Sequence, residues 1–88
     1  SEREYIIEGS MNLDDLNDRL DLDLNSEEYD SLGGFIIERL DRLPEAGDSI
    51  VTEEGIRMVV EKLDKNRIEK VHVLPAGVRY GRNSYRLT

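Results

Sequence analysis

Few side chains in this chain have a wide chemical repertoire. His72 is its single histidine, and cysteine is absent. A zinc or transition-metal site built on His72 would lack its usual imidazole and thiolate partners. His72 stands between Val71 and Val73 in an alternating run. It is expected as an exposed strand residue, facing away from those two and beside Lys70 and Leu74. A Ser-His-Asp set would have to recruit His72, and no Gly-x-Ser-x-Gly elbow is present. No catalytic residue is assigned, and the chain reads as a non-enzyme.

Carboxylates are the abundant functional group. Asp14, Asp15, Asp18, Asp21 and Asp23 crowd one stretch, and hard cations take oxygen ligands of this kind. Asp14 and Asp18 lie one helical turn apart and are the candidate metal pair. The spacing of a calcium-binding helix-loop-helix is absent, however, and helix-start preference accounts for Asp14 and Asp15. No resident metal is assigned.

The adjacent glycines Gly33 and Gly34 are the third feature. They are not a phosphate loop, because neither GxGxxG nor GxxxxGK[ST] surrounds them. Read inside a helix, each costs roughly 1 kcal/mol against alanine, so close backbone packing is the expected compensation. Gly33, Gly34, Phe35 and Ile37 are therefore the candidate packing and interface residues.

The elements that position these residues follow from periodicity. Tyr5 to Glu8 reads as a strand ended by Gly9-Ser10. Asn12 caps a helix whose apolar stripe is Leu13, Leu16 and Leu20. Leu20, Leu22 and Leu24 alternate with Asp21 and Asp23, which implies an extended segment and an extra short strand near 22–24. Ser26 is the expected cap of a second helix with stripe Tyr29, Leu32, Ile36, Leu40 and Leu43, stopped by Pro44. Strands are expected over 49–52, 56–60 and 68–74, joined by turns at 53–55 and 64–67, with a bulge or strand end near Lys62-Leu63. The class is α+β, in the order β-α-α-β-β-β, with two helices packed on one face of a small antiparallel sheet. Residues 1–77 form the domain and residues 78–88 a basic tail containing Arg79, Arg82 and Arg86.

The chain has 88 residues, enough for one thin core. Its net charge of −8 is uneven: residues 1–48 hold 15 acids and 4 bases, residues 49–88 hold 5 and 8. The acidic half argues against a nucleic-acid partner. No apolar run approaches the roughly 20 residues of a membrane span, so direct membrane insertion is not expected. The charged opening Ser1-Glu2-Arg3-Glu4 does not read as a signal peptide.

Taken in order, the residues resemble a known family. Leu13-Asp14-Asp15-Leu16 to Leu20, Leu32-Gly33-Gly34-Phe35-Ile36, Leu43-Pro44-Glu45-Ala46-Gly47-Asp48, Met58-Val59-Val60 and Arg67-Ile68-Glu69-Lys70-Val71-His72-Val73 are similar to the transporter-associated domain of the CorC/HlyC family. The likeness covers roughly residues 5–75. Ser31 stands where the family often has Thr, which keeps the hydroxyl. The resemblance implies a C-terminal domain at the cytoplasmic face of the cell membrane, following a membrane domain and a pair of CBS domains. The parent proteins are associated with magnesium and cobalt efflux, and some carry the label hemolysin. The fold is also similar to a subdomain of FAD-binding oxidoreductases. The leading expectation is a non-catalytic regulatory domain that contacts the CBS and membrane domains of its parent chain. The alternatives are a module for FAD or an adenine nucleotide, and a homodimerisation module.

Overall fold

The computed structural model describes residues 4–74. The tail at 78–88 lies outside the described residues. The elements are β1 (Tyr5–Glu8), α1 (Leu13–Leu20), α2 (Leu32–Leu40), β2 (Ser49–Val51), β3 (Arg57–Asp64) and β4 (Arg67–Leu74). Four antiparallel strands form one sheet in the order β1-β4-β3-β2. The last three strands make the expected meander. The first strand joins it at the β4 edge, pairing Ile6 with His72 and Ile7 with Val71.

Both helices cover the same face, and the α+β expectation holds. Leu16, Leu32, Phe35 and Ile36 have no exposed surface and pack on Met58, Val60, Val71 and Val73 from the sheet. Alternation along the strands supplies this inner row, while Ile6, Val59 and His72 point the other way.

α1 forms as its sequence dictates. The Asn12 side chain accepts from the amides of Asp14 and Asp15 at 2.8 and 3.2 Å. Acids in the first turn and Arg19 in the last suit the helix dipole. Asp21, in the left-handed region at φ 57°, closes it.

Three expectations are corrected. No strand forms at 22–24: the segment is extended, but it finds a side chain instead of a ladder. Asn17 clamps Leu24 by donating to its carbonyl at 3.0 Å and accepting from its amide at 2.9 Å. The second helix begins five residues later than Ser26 implies, at the cap Ser31, and ends at Leu40 with Asp41 in the left-handed region, before Pro44 is reached. Ser26 instead caps a tight turn, accepting from the Tyr29 amide and donating to the Glu38 carboxylate. Tyr29 and Leu43 consequently drop out of the helical stripe and are 37% and 67% exposed. Finally, β3 continues past Val60 to Asp64, and of the two expectations near Lys62-Leu63 the bulge holds, as register shifts within the strand.

The cause of the late helix start is long-range. Asn12 and Ser31, the caps of the two helices, are partners in one isolated antiparallel bridge. The Leu13 amide donates to Asp30 at 2.7 Å and the Leu32 amide to Met11 at 2.9 Å. Each helix thus begins where its chain leaves this bridge.

Candidate functional site

The bridge places Gly33 and Gly34 in the first turn of α2, where the interior cost of glycine does not apply in full. Their need is steric. The Gly33 amide donates to the Gly9 carbonyl at 2.8 Å. A Cβ on Gly33 would stand 3.1 Å from that same oxygen and 3.4 Å from the Ile68 Cβ. A Cβ on Gly9 would run into the Ile68 carbonyl, and one on Gly34 into the Tyr29 side chain. β4, the β1–α1 loop and α2 therefore stack backbone to backbone.

Removing these side chains also leaves a hollow. A cavity of about 400 Å³ opens at the start of α2, bounded by Gly33, Gly34, Tyr29, Ile37, Ile68 and Arg67. A second, of about 430 Å³, continues from Tyr29 and Ile37 to Leu43. Together they make one groove along the open side of α2. Its apolar walls are Tyr29, the half-buried Ile37 and Leu43. The charges are polarised. Arg67 lies at the glycine end, while Glu28, Glu38 and Asp41 line the other.

Arg42 also lines the acidic end, but its charge is already matched. It makes paired 2.9 Å hydrogen bonds to both carboxylate oxygens of Asp48. Asp48 also accepts from the Glu45 amide at 2.8 Å. The Arg42 guanidinium, and then that amide, hold the Asp48 carboxyl below the usual aspartate range. The same bonds raise Arg42 further above its ordinary value. This clip ties the end of α2 to the start of β2.

The sequence candidates separate in space. Gly33 and Gly34 line the groove and Ile37 forms its wall, whereas Phe35 is wholly buried in the core with the Arg39 guanidinium 4.6 Å above its ring. Asp14 and Asp18 are exposed on α1, and among the described residues no three acidic, histidine or cysteine side chains converge to hold a metal ion. His72 is on the outer face as expected but is not exposed: its side chain is 15% accessible. Nε2 lies 2.9 Å from Glu4 and Nδ1 3.5 Å from Glu61. Carboxylates from β3 and from just before β1 thus engage the ring, which strand alternation alone does not anticipate.

Tyr29, Arg67 and Gly9 were missed by sequence reasoning. Tyr29 fitted a helical stripe, and Gly9 looked like an ordinary strand end. No local signal marks Arg67, whose place depends on the β3–β4 turn approaching α2.

The start of α2 offers no ready cradle for a diphosphate. Such groups are cradled by free amides at a helix start. Here the Leu32, Gly33, Gly34 and Phe35 amides are bonded to Met11, Gly9, the Ser31 hydroxyl and the Ser31 carbonyl, respectively. No helix among the described residues is long and apolar enough to cross a membrane.

Comparison with known proteins agrees with this architecture. The family described as the transporter associated domain, CorC_HlyC, matches residues 1–76. The UPF0053 protein sll0260 of Synechocystis is 37% identical over 73 residues, covering 78% of this chain and 16% of that protein. The magnesium and cobalt efflux protein CorC of Salmonella typhimurium is 30% identical over 73 residues, covering 83% of this chain and 25% of that protein. The chain thus spans a quarter or less of these relatives. The solved transporter associated domain from a CBS domain protein of Porphyromonas gingivalis superposes with a TM-score of 0.73 at 35% identity, covering 83% of this chain and 88% of that one. With its fold and sequence in agreement, the chain belongs to the CorC/HlyC transporter-associated domain family.

Proposed function

We propose that this domain is a non-catalytic accessory module of a magnesium and cobalt efflux type membrane transporter. It acts at the cytoplasmic face by docking onto the CBS domains of its parent chain. The observation that carries the reading is the groove along α2. Apolar walls give a partner surface to bury, and the glycine floor is rigid because it is bonded to β4 and the β1–α1 loop. A rigid surface loses little conformational entropy on association. Docking here would bias the transporter between states through a difference in contact free energy, which is all that such coupling requires.

Relatives support the setting. One is named a magnesium and cobalt efflux protein, and one neighbouring structure comes from a CBS domain protein. Each relative in which this chain covers 16–25% of the length has room for the remaining domains.

Calorimetric titration tests the choice of ligand. The domain should bind the CBS-domain pair of its parent chain and give no heat with FAD, AMP or ATP. Micromolar affinity for a flavin or nucleotide, without affinity for the CBS pair, would replace this reading with that of a small-ligand module.

A further inference from the structure

The large apolar side chains exposed among the described residues are Ile6, Tyr29, Leu43 and Val51. Ile6 and Val51 lie on opposite edge strands, with β4 and β3 between them. Tyr29 and Leu43 instead share the α2 groove with Ile37. Side-chain bonds hold both of their loops in place. The Tyr29 amide donates to the Ser26 hydroxyl at 3.0 Å, and that hydroxyl donates to Glu38 on α2. The Arg42 guanidinium donates to the Leu43 carbonyl at 3.2 Å while it grips Asp48. The apolar wall is therefore built before any partner arrives, which lowers the entropic cost of docking.

The same bonds decide the charge of the groove. Arg42 is neutralised by Asp48, whereas Glu38 is bonded to an uncharged hydroxyl and keeps its charge. Glu28 and Asp41 are exposed, and none of these three acids has an ion-pair partner among the described residues. Arg39, the base within α2, lies over the Phe35 ring and lines a separate hollow with Asp23, Glu53 and Glu54. Arg67, at the glycine end, stands opposite Asp64 in the β3–β4 register. Three negative charges are thus left over around the Leu43 end of the groove. An acidic rim on an apolar wall repels nucleic acid and anionic lipid, and it favours a cation next to an apolar anchor.

Resting on the docking reading above, we infer that the groove receives a basic amphipathic segment of the parent chain's CBS-domain pair. An apolar side chain of that segment sits between Tyr29 and Leu43, and a lysine or arginine faces Glu28, Glu38 and Asp41.

Calorimetric titration of the domain with the CBS-domain pair, at low and high salt, tests the inference. Between about 0.1 M and about 1 M NaCl the screening length falls from about 10 Å to about 3 Å, so affinity should drop at least about fivefold. The variant carrying Glu28→Lys and Asp41→Asn should bind about tenfold more weakly at low salt and lose most of the salt dependence. Glu28 is exposed, and asparagine tolerates the left-handed backbone at position 41. If that variant does not fold, Glu28→Lys alone replaces it, with a loss of about threefold. Affinity that is indifferent to salt and to these charges, yet falls in Ile37→Glu, would overturn the inference and leave groove docking standing. Affinity unchanged in every variant, or no binding of the CBS pair at all, would overturn both.

Discussion

The amide of Gly33 meets the carbonyl of Gly9 at 2.8 Å, and a methyl group on either glycine would press on that carbonyl or on the backbone of Ile68. Two sequence-distant glycines thus share one task, which is to let the start of α2 rest on β4. Graded costs follow. Gly9→Ala should destabilise the domain by about 3 kcal/mol, because rigid backbone opposes the new atom. Gly33→Ala should cost about 1–2 kcal/mol, since its contact is tight without being impossible. Gly47→Ala meets no atom but sits at φ 96°, so strain alone should cost about 1 kcal/mol. Urea denaturation with a shared slope would order the three; equal losses at all three would refute the packing argument.

The Asn17 clamp predicts a loss that strand pairing would not. Asn17→Ala removes both bonds to Leu24 and should cost about 1–2 kcal/mol. Asn17→Asp keeps the acceptor for the Leu24 amide but removes the donor to its carbonyl. Its second oxygen then faces the Leu24 carbonyl, acceptor against acceptor, so its loss should match or exceed that of Asn17→Ala. Faster amide exchange at Leu24 in Asn17→Ala would confirm the clamp.

The Arg42–Asp48 clip sets a pH dependence. The Asp48 carboxyl is held below its ordinary value in the folded state. Its contribution is therefore complete above the unfolded aspartate range and is lost as pH falls below about 4 through the lowered folded value. Asp48→Asn should flatten that acid limb of the stability curve and leave the curve's shape near neutrality unchanged. Thermal melts between pH 2 and pH 7 would show the difference. An unchanged acid limb in Asp48→Asn would assign it to other carboxylates.

Local rules made much of this fold legible. Asn12 followed by two acids and the Leu13, Leu16, Leu20 stripe specify α1 with no outside help. Alternation in β3 and β4 gives the hairpin and the inward direction of Val71 and Val73. The start of α2 was not legible, because Ser26 and Ser31 are both competent caps. The choice between them is made by the bridge from Ser31 to Asn12, nineteen positions earlier. The same non-local contact moves Gly33 and Gly34 from a helix interior to a helix start. The groove inherits this limit: its glycine floor could be suspected from composition, but its Tyr29 and Arg67 walls exist only once α2 and the β3–β4 turn are adjacent.

Docking through α2 predicts that Ile37→Glu separates folding from association. Ile37 is half-buried at the groove wall, so the substitution should cost under about 1.5 kcal/mol in stability. Affinity for the partner should nevertheless fall at least about tenfold, as loss of a central apolar anchor does. Ile6→Glu, on the opposite face, should leave that affinity unchanged.

The most direct measurement is an NMR titration of the labelled domain with the CBS-domain pair of its parent chain. The account predicts shifts confined to the groove, at Tyr29, Gly33, Gly34, Ile37 and Leu43, and their loss in Ile37→Glu. Saturable shifts elsewhere with the groove unmoved, or groove shifts produced by FAD and not by the CBS pair, would contradict it.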